Sequence, residues 1–192
     1  MMEIEKGLNI ILQFDREMKE IFGENRVRKS IMGHYGELLV ANELIKHDFN
    51  VKFKGNLAGY DLLVNNKKIE IRTSQMKRER AFPERIKAWG WKLQTRDGKK
   101  MPIPIKYDFI ILVKLNDTWE DYELFMLSKD EVEKIKDTYF SGYQTVARAF
   151  YLFKNPIEEA QRNDKHNMIT KECINFNKNT SKFLINWDKL SL

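Results

Sequence analysis

Two acids, Asp61 and Glu70, flank an Asn65-Asn66 pair in the segment YDLLVNNKKIEIR, residues 60–72. Asn-Asn between two apolar runs reads as a two-residue hairpin turn, because Asn tolerates the left-handed backbone that such turns require. If Val64 pairs with Lys67, the register sets Asp61 opposite Glu70 on one face of the hairpin, with Cβ atoms about 4.5–5.5 Å apart. Like charges so placed repel each other, whereas two converging carboxylates are the ligands a hard divalent cation prefers. Period-two alternation puts Arg72 on the same face as Glu70 and turns Ile69 and Ile71 to the other. A longer turn would change this register.

A third acid belongs to a helix predicted from Ser30, a residue that can cap it, to about His47. At 100° per residue Glu37 falls at the centre of a stripe formed by Leu38, Val40, Ala41, Leu44 and Ile45. The helix's other acid, Glu43, falls about 120° away beside polar neighbours. Glu37 is therefore expected to face the interior, where an ionised carboxylate needs a partner. That partner is either a shared cation or an Arg met at the end of the stripe.

The charge distribution points to a polyanion. The chain carries 34 Lys and Arg against 28 Asp and Glu, a net charge of +6. Between Arg72 and Lys100 there are ten basic residues and three acids, so this stretch alone holds a balance of +7 and the remainder is nearly neutral. It begins at Arg72, beside the paired acids, and is interleaved with Phe82, Trp89 and Trp91. A cationic loop rising from the edge of a metal site would hold a nucleic-acid backbone against it, through Lys77, Arg78, Arg80, Arg85 and Lys87. Trp89 and Trp91 could stack on bases, or they could equally be core residues. Binding of this kind is salt-sensitive.

Composition removes other classes. With 192 residues, 42% hydrophobic and 12% aromatic, the chain can bury a real core and is not disordered. Its mean hydropathy of -0.57 and the lack of any apolar run near the roughly 20 residues of a bilayer span exclude an integral membrane protein. The opening MMEIEKGLNIILQFDREMKE has no signal-peptide pattern, so a cytoplasmic location is expected. One cysteine, Cys173, makes neither an internal disulfide nor a cysteine-built zinc site, and three scattered histidines lack the HExxH spacing.

The elements that must position these residues follow from periodicity. An amphipathic helix is predicted over 3–22 and short strands around 51–53, 59–64 and 67–73. Further strands are predicted over 108–114 and 122–127, then a capping box at Ser128–Glu131 opening a helix to about Asp137. Pro156 should begin another helix. No repeat or linker divides the chain, so a single α/β domain over 1–192 is expected, with a core of about 30–137, an N-terminal helix and a C-terminal extension over 138–192.

In this order the chain resembles the PD-(D/E)xK nuclease-like superfamily, the restriction-endonuclease and Holliday-junction-resolvase type. The resemblance is carried by a helix bearing an acid (Gly36-Glu37), a hairpin with Asp on its first strand (Gly59-Tyr60-Asp61) and Glu-x-basic on its second (Glu70-Ile71-Arg72). It implies a restriction-endonuclease-like mixed β-sheet flanked by helices, and hydrolysis of phosphodiester bonds with Mg²⁺ or Mn²⁺. By the resemblance, Asp61 and Glu70 hold the metal, Glu37 supports the metal or its water, and Arg72 takes the place of the family's catalytic Lys. The implied partner is nucleic acid, DNA first, with a homodimer as the candidate assembly. Tyr60 stands where the family name has Pro, and Arg72 is the larger departure, since a guanidinium does not deprotonate and acts only as a positive charge. Lys68, on the same strand face, and Lys77, just beyond it, are the alternative basic groups. Two rival readings are a nucleic-acid-binding module with a weakened site and an α/β protein whose acids form surface pairs.

Overall fold

A computed structural model describes residues 2–22, 26–54, 59–78, 83, 85–95, 103–135, 146–164 and 169–190. Two helices, α1 (Met2–Phe22) and α2 (Arg26–Lys46), precede a five-stranded mixed sheet. α2 starts at Arg26, one turn before the predicted cap at Ser30, since Arg26 to Lys29 contains no helix breaker. The sheet has the order β1 (Val51–Phe53), β2 (Leu62–Val64), β3 (Lys67–Gln75), β6 (Phe109–Leu115), β7 (Tyr122–Ser128), with β3 and β6 parallel and the other pairs antiparallel.

The basic stretch is the largest departure from expectation. Its described residues are largely strand rather than loop: β4 (Lys77–Arg78) and β5 (Lys87–Thr95) pair with each other, and β5 pairs with β8 (Val146–Phe153) to build a second, three-stranded sheet. Segment 138–192 thus supplies a strand that runs along nearly all of β5, a contact of long sequence separation that periodicity does not reveal. The chain then closes with α4 (Ile157–Arg162) and α5 (Lys171–Lys178). Before them, the Ser128–Glu131 capping box opens α3 (Lys129–Lys134), whose helix stops three residues short of Asp137. Pro156 is the N-cap of α4 rather than its first helical residue.

Two cores lie on the two faces of the five-stranded sheet. On one, α1 and α2 cover Ile69, Ile71, Ile111 and Val113. On the other, the second sheet and α3 to α5 cover Ile110, Leu112, Phe125 and Leu127. β6 is buried on both faces, which is why FIILV, residues 109–113, reads as an unbroken apolar run before Lys114.

Candidate functional site

The hairpin closes as its Asn pair predicts. Val64 faces Lys67, and Asn65 and Asn66 have φ of 46° and 64°, the two positive values of a type I′ turn. The ladder runs only to Leu62–Ile69. At Asp61 the backbone N–H still donates to Ile69 O (2.9 Å), but the Asp61 carboxylate Oδ2 accepts the Ile71 N–H (2.7 Å). The side chain replaces a strand partner at the point where β3 loses β2 and keeps only β6 as a neighbour among the described strands. Asp61 and Glu70 are therefore neighbours in charge at an open strand edge, not members of a ladder pair.

Glu37 reaches this edge from the opposite face of the sheet, because α2 passes very close to β3. Gly36 permits the approach: a Cβ there would overlap the Thr73 hydroxyl and meet Thr73 Cβ at 3.0 Å. Turning the Thr73 side chain would not clear the space, because its own Cβ stands at 3.0 Å and its Cγ2 at 3.2 Å. Gly36→Ala should destabilise the protein by about 1–3 kcal/mol, the usual range for overpacking, despite the roughly 1 kcal/mol that Ala gains over Gly in a helix. Urea unfolding checks this, and Gly36→Ala/Thr73→Ala should recover part of the loss. A Gly36→Ala protein as stable as the wild type would contradict the tight approach.

Arg72 is the positive group that acts on all three acids. Burial pushes the Glu70 carboxyl from its ordinary 4.5 up to about 7, helped by the charges of Asp61 and Glu37 and opposed by Arg72. Burial likewise raises Asp61 and Glu37; at Glu37 the Asp61 charge adds to the rise, and Arg72 and His34 oppose it at both. Arg72 is ion-paired directly with Glu70. Glu70 is 8% exposed and Arg72 49%, so a buried carboxylate is tethered to a cation that stands in solvent. Among the described residues no three His, Cys, Asp or Glu side chains stand close enough to enclose an ion. The donors that the resemblance implies are the two carboxylates of Asp61 and Glu70, the first bonded to the Ile71 N–H and the second paired with Arg72. That set suits Mg²⁺, which takes one or two carboxylates and completes its octahedron with water and substrate phosphate oxygens.

His34 was not anticipated as part of this group. Its Nδ1 stands 3.4 Å from Glu37 Oε2, and its charge acts on Asp61 as well. The signal was present in the sequence, since residues three apart on a helix share a face. For Gly36 no local pattern marks the close approach.

The expected nucleic-acid contacts fare unevenly. Trp91 is 2% exposed, donates Nε1–H to Val113 O (3.2 Å) and packs edge-on against Phe125 and Phe176 at centroid distances of 6.5 and 6.4 Å. It is a core residue, and base stacking is closed to it. Trp89 is half-buried; its indole N–H bonds to Leu115 O and the Lys114 ammonium lies 4.6 Å from the centre of its ring. Arg85 is exposed but paired with Glu159 at 3.1 Å, while Lys87 is exposed at the start of β5. The backbones of Lys77 and Arg78 form β4; their side chains, and Arg80, lie outside the described residues. Lys68, at the other end of the β3 face, lies 5.7 Å from the Tyr60 ring centre. No helix among the described residues is long and apolar enough to cross a membrane.

No family model and no curated protein matches this sequence. Among solved structures, a bacterial homing endonuclease is similar over 74% of this chain and 84% of its own length, with a TM-score of 0.42 and 13% identity. At that score the likeness is one of coarse shape.

Proposed function

We propose that this protein is a metal-dependent endonuclease that hydrolyses DNA phosphodiester bonds, of restriction or repair type. The observation that supports it most is the buried Glu70 carboxylate, ion-paired with half-exposed Arg72 and near enough to Asp61 and Glu37 for their charges to act on it. Three carboxylates whose proton affinity burial raises, Glu70 further through the charges of Asp61 and Glu37, form a costly arrangement, and a site that binds a cation and a phosphate explains it. Asp61 and Glu70 would hold the ion. When bound, Mg²⁺ lowers the proton affinity of a water and offsets the charge that develops on the phosphoryl oxygens. Glu37, held above the ordinary carboxylate range, is suited to take up the proton of the attacking water. Arg72 supplies positive charge to the phosphate and no proton transfer.

One observation favours a second reading. The Arg72–Glu70 ion pair neutralises one of the two metal-holding carboxylates, as in a nucleic-acid-binding module whose cleavage site has decayed. Incubation with supercoiled, linear, branched and single-stranded DNA in Mg²⁺ or Mn²⁺, with a chelator control, separates the two. Cleavage lost on chelation is expected. Salt-sensitive binding without cleavage in any condition would favour the binding module, and a protein that neither binds nor cuts would overturn both.

A further inference from the structure

The metal reading leaves Arg72 with two partners that it cannot serve together. It touches Glu70, a proposed metal ligand, and it occupies the basic position expected to meet the phosphate. Its charge acts on Glu37, Asp61 and Glu70 alike, which is what a bound cation would do at the same place. Glu70 is too deeply buried to find another partner in water, and the only described cation in contact with it is this guanidinium. The arginine head, half in solvent at the end of a long stem, can leave, whereas the carboxylate cannot.

Resting on the metal-site reading above, we propose that Arg72 is a resident stand-in for the divalent ion: it closes on Glu70 when the site holds no metal, and an incoming ion must displace it, releasing the guanidinium to the nucleic-acid phosphate. The ion pair then has a regulatory consequence. It offsets part of the cost of the buried acids in the metal-free protein, weakens metal affinity, and makes metal and nucleic acid help each other, because each takes one end of the broken pair.

Titration of the whole chain with Mn²⁺, followed by calorimetry in the absence of DNA, tests this without any cleavage readout. Arg72→Gln removes the competing charge and should bind Mn²⁺ about tenfold more tightly than the wild type, a gain moderated by the arginine's solvent exposure. Arg72→Lys keeps the charge and should stay within about threefold of the wild type. Arg72→Met is a second neutral variant should the glutamine protein fold poorly. Equal or weaker affinity in the neutral variants would overturn the stand-in role while leaving the metal site intact. A lysine variant that gains as much as glutamine would exclude charge as the cause. A gain that survives Asp61→Asn would put the ion elsewhere and overturn the role. Absence of Mn²⁺ binding in the wild type and every variant would overturn the metal-site reading and this one together.

Discussion

Asp61→Asn should lower DNA cleavage in Mg²⁺ by about 10³-fold while leaving the fold intact. A bound metal contributes several kcal/mol of charge stabilisation to phosphodiester hydrolysis, and each 1.36 kcal/mol is about a factor of ten in rate. Asparagine keeps the shape of aspartate and an oxygen that can accept the Ile71 N–H, now made to the carboxylate at 2.7 Å. What it removes is the charge. The variant should therefore keep the wild-type melting temperature or exceed it, because burial already disfavours the ionised form. Supercoiled-plasmid nicking together with circular dichroism reads both quantities. Wild-type cleavage by a folded Asp61→Asn protein would remove Asp61 from the proposed site.

Glu70→Gln should stabilise the protein at pH 8 and change it little at pH 4.5. The unfolded chain ionises Glu70 near its ordinary value of 4.5, whereas the folded protein holds it up to about 7, chiefly through burial. Between those values the folded state binds more protons than the unfolded one, so wild-type stability falls as the pH rises through this window and levels off above it. The full effect is about 3 kcal/mol as an upper bound, from the difference between the two values. The value of about 7 already includes the opposing pull of Arg72. A gain of about 5 °C in melting temperature at pH 8 is expected for a chain of this size, with near-coincident melting at pH 4.5. A pH-independent difference, or a glutamine protein that melts lower at pH 8, would show that Arg72 compensates Glu70 fully.

The parts of the site that were legible in the sequence are local ones. Asn65-Asn66 specifies its own turn through the positive φ that both residues adopt, and that turn determines which residues of β2 and β3 face each other. The same holds for the Ser128–Glu131 capping box and for the apolar run of β6. The departures begin where the next contact is distant in the chain. The basic stretch alternates weakly and carries Trp89 and Trp91, which fits a loop as well as a strand. Only β8, more than 50 residues away, makes it a sheet and buries Trp91 among Phe125, Phe150 and Phe176. Ordering a tryptophan that can bury its whole indole and still satisfy its N–H at Val113 O outweighs leaving it exposed as a stacking platform.

By itself the sequence determined the turn, the pairing of Leu62 to Val64 with Lys67 to Ile69, and the shared face of Glu70 and Arg72, because a two-residue turn and a period of two leave little freedom over so short a hairpin. It put Glu37 on the apolar stripe and Glu43 on the polar side of the helix, whereas in the fold Glu37 stays 30% exposed beside His34 and Glu43 is the more buried at 20%, because the sheet and neighbouring segments cover that side of the helix as well. Tertiary structure alone decided how these met. The approach of α2 to β3 at Gly36 and Thr73 sets Glu37 at the strand edge, and the end of β2 at Leu62 frees the Asp61 carboxylate to bond Ile71. Packing also buries the Glu70 carboxylate while leaving the Arg72 guanidinium half in solvent. Local patterns encode which face a side chain takes. How far it is buried, and which charge compensates it there, depends on what distant segments pack over it, and burial is the term that moves these carboxyls most.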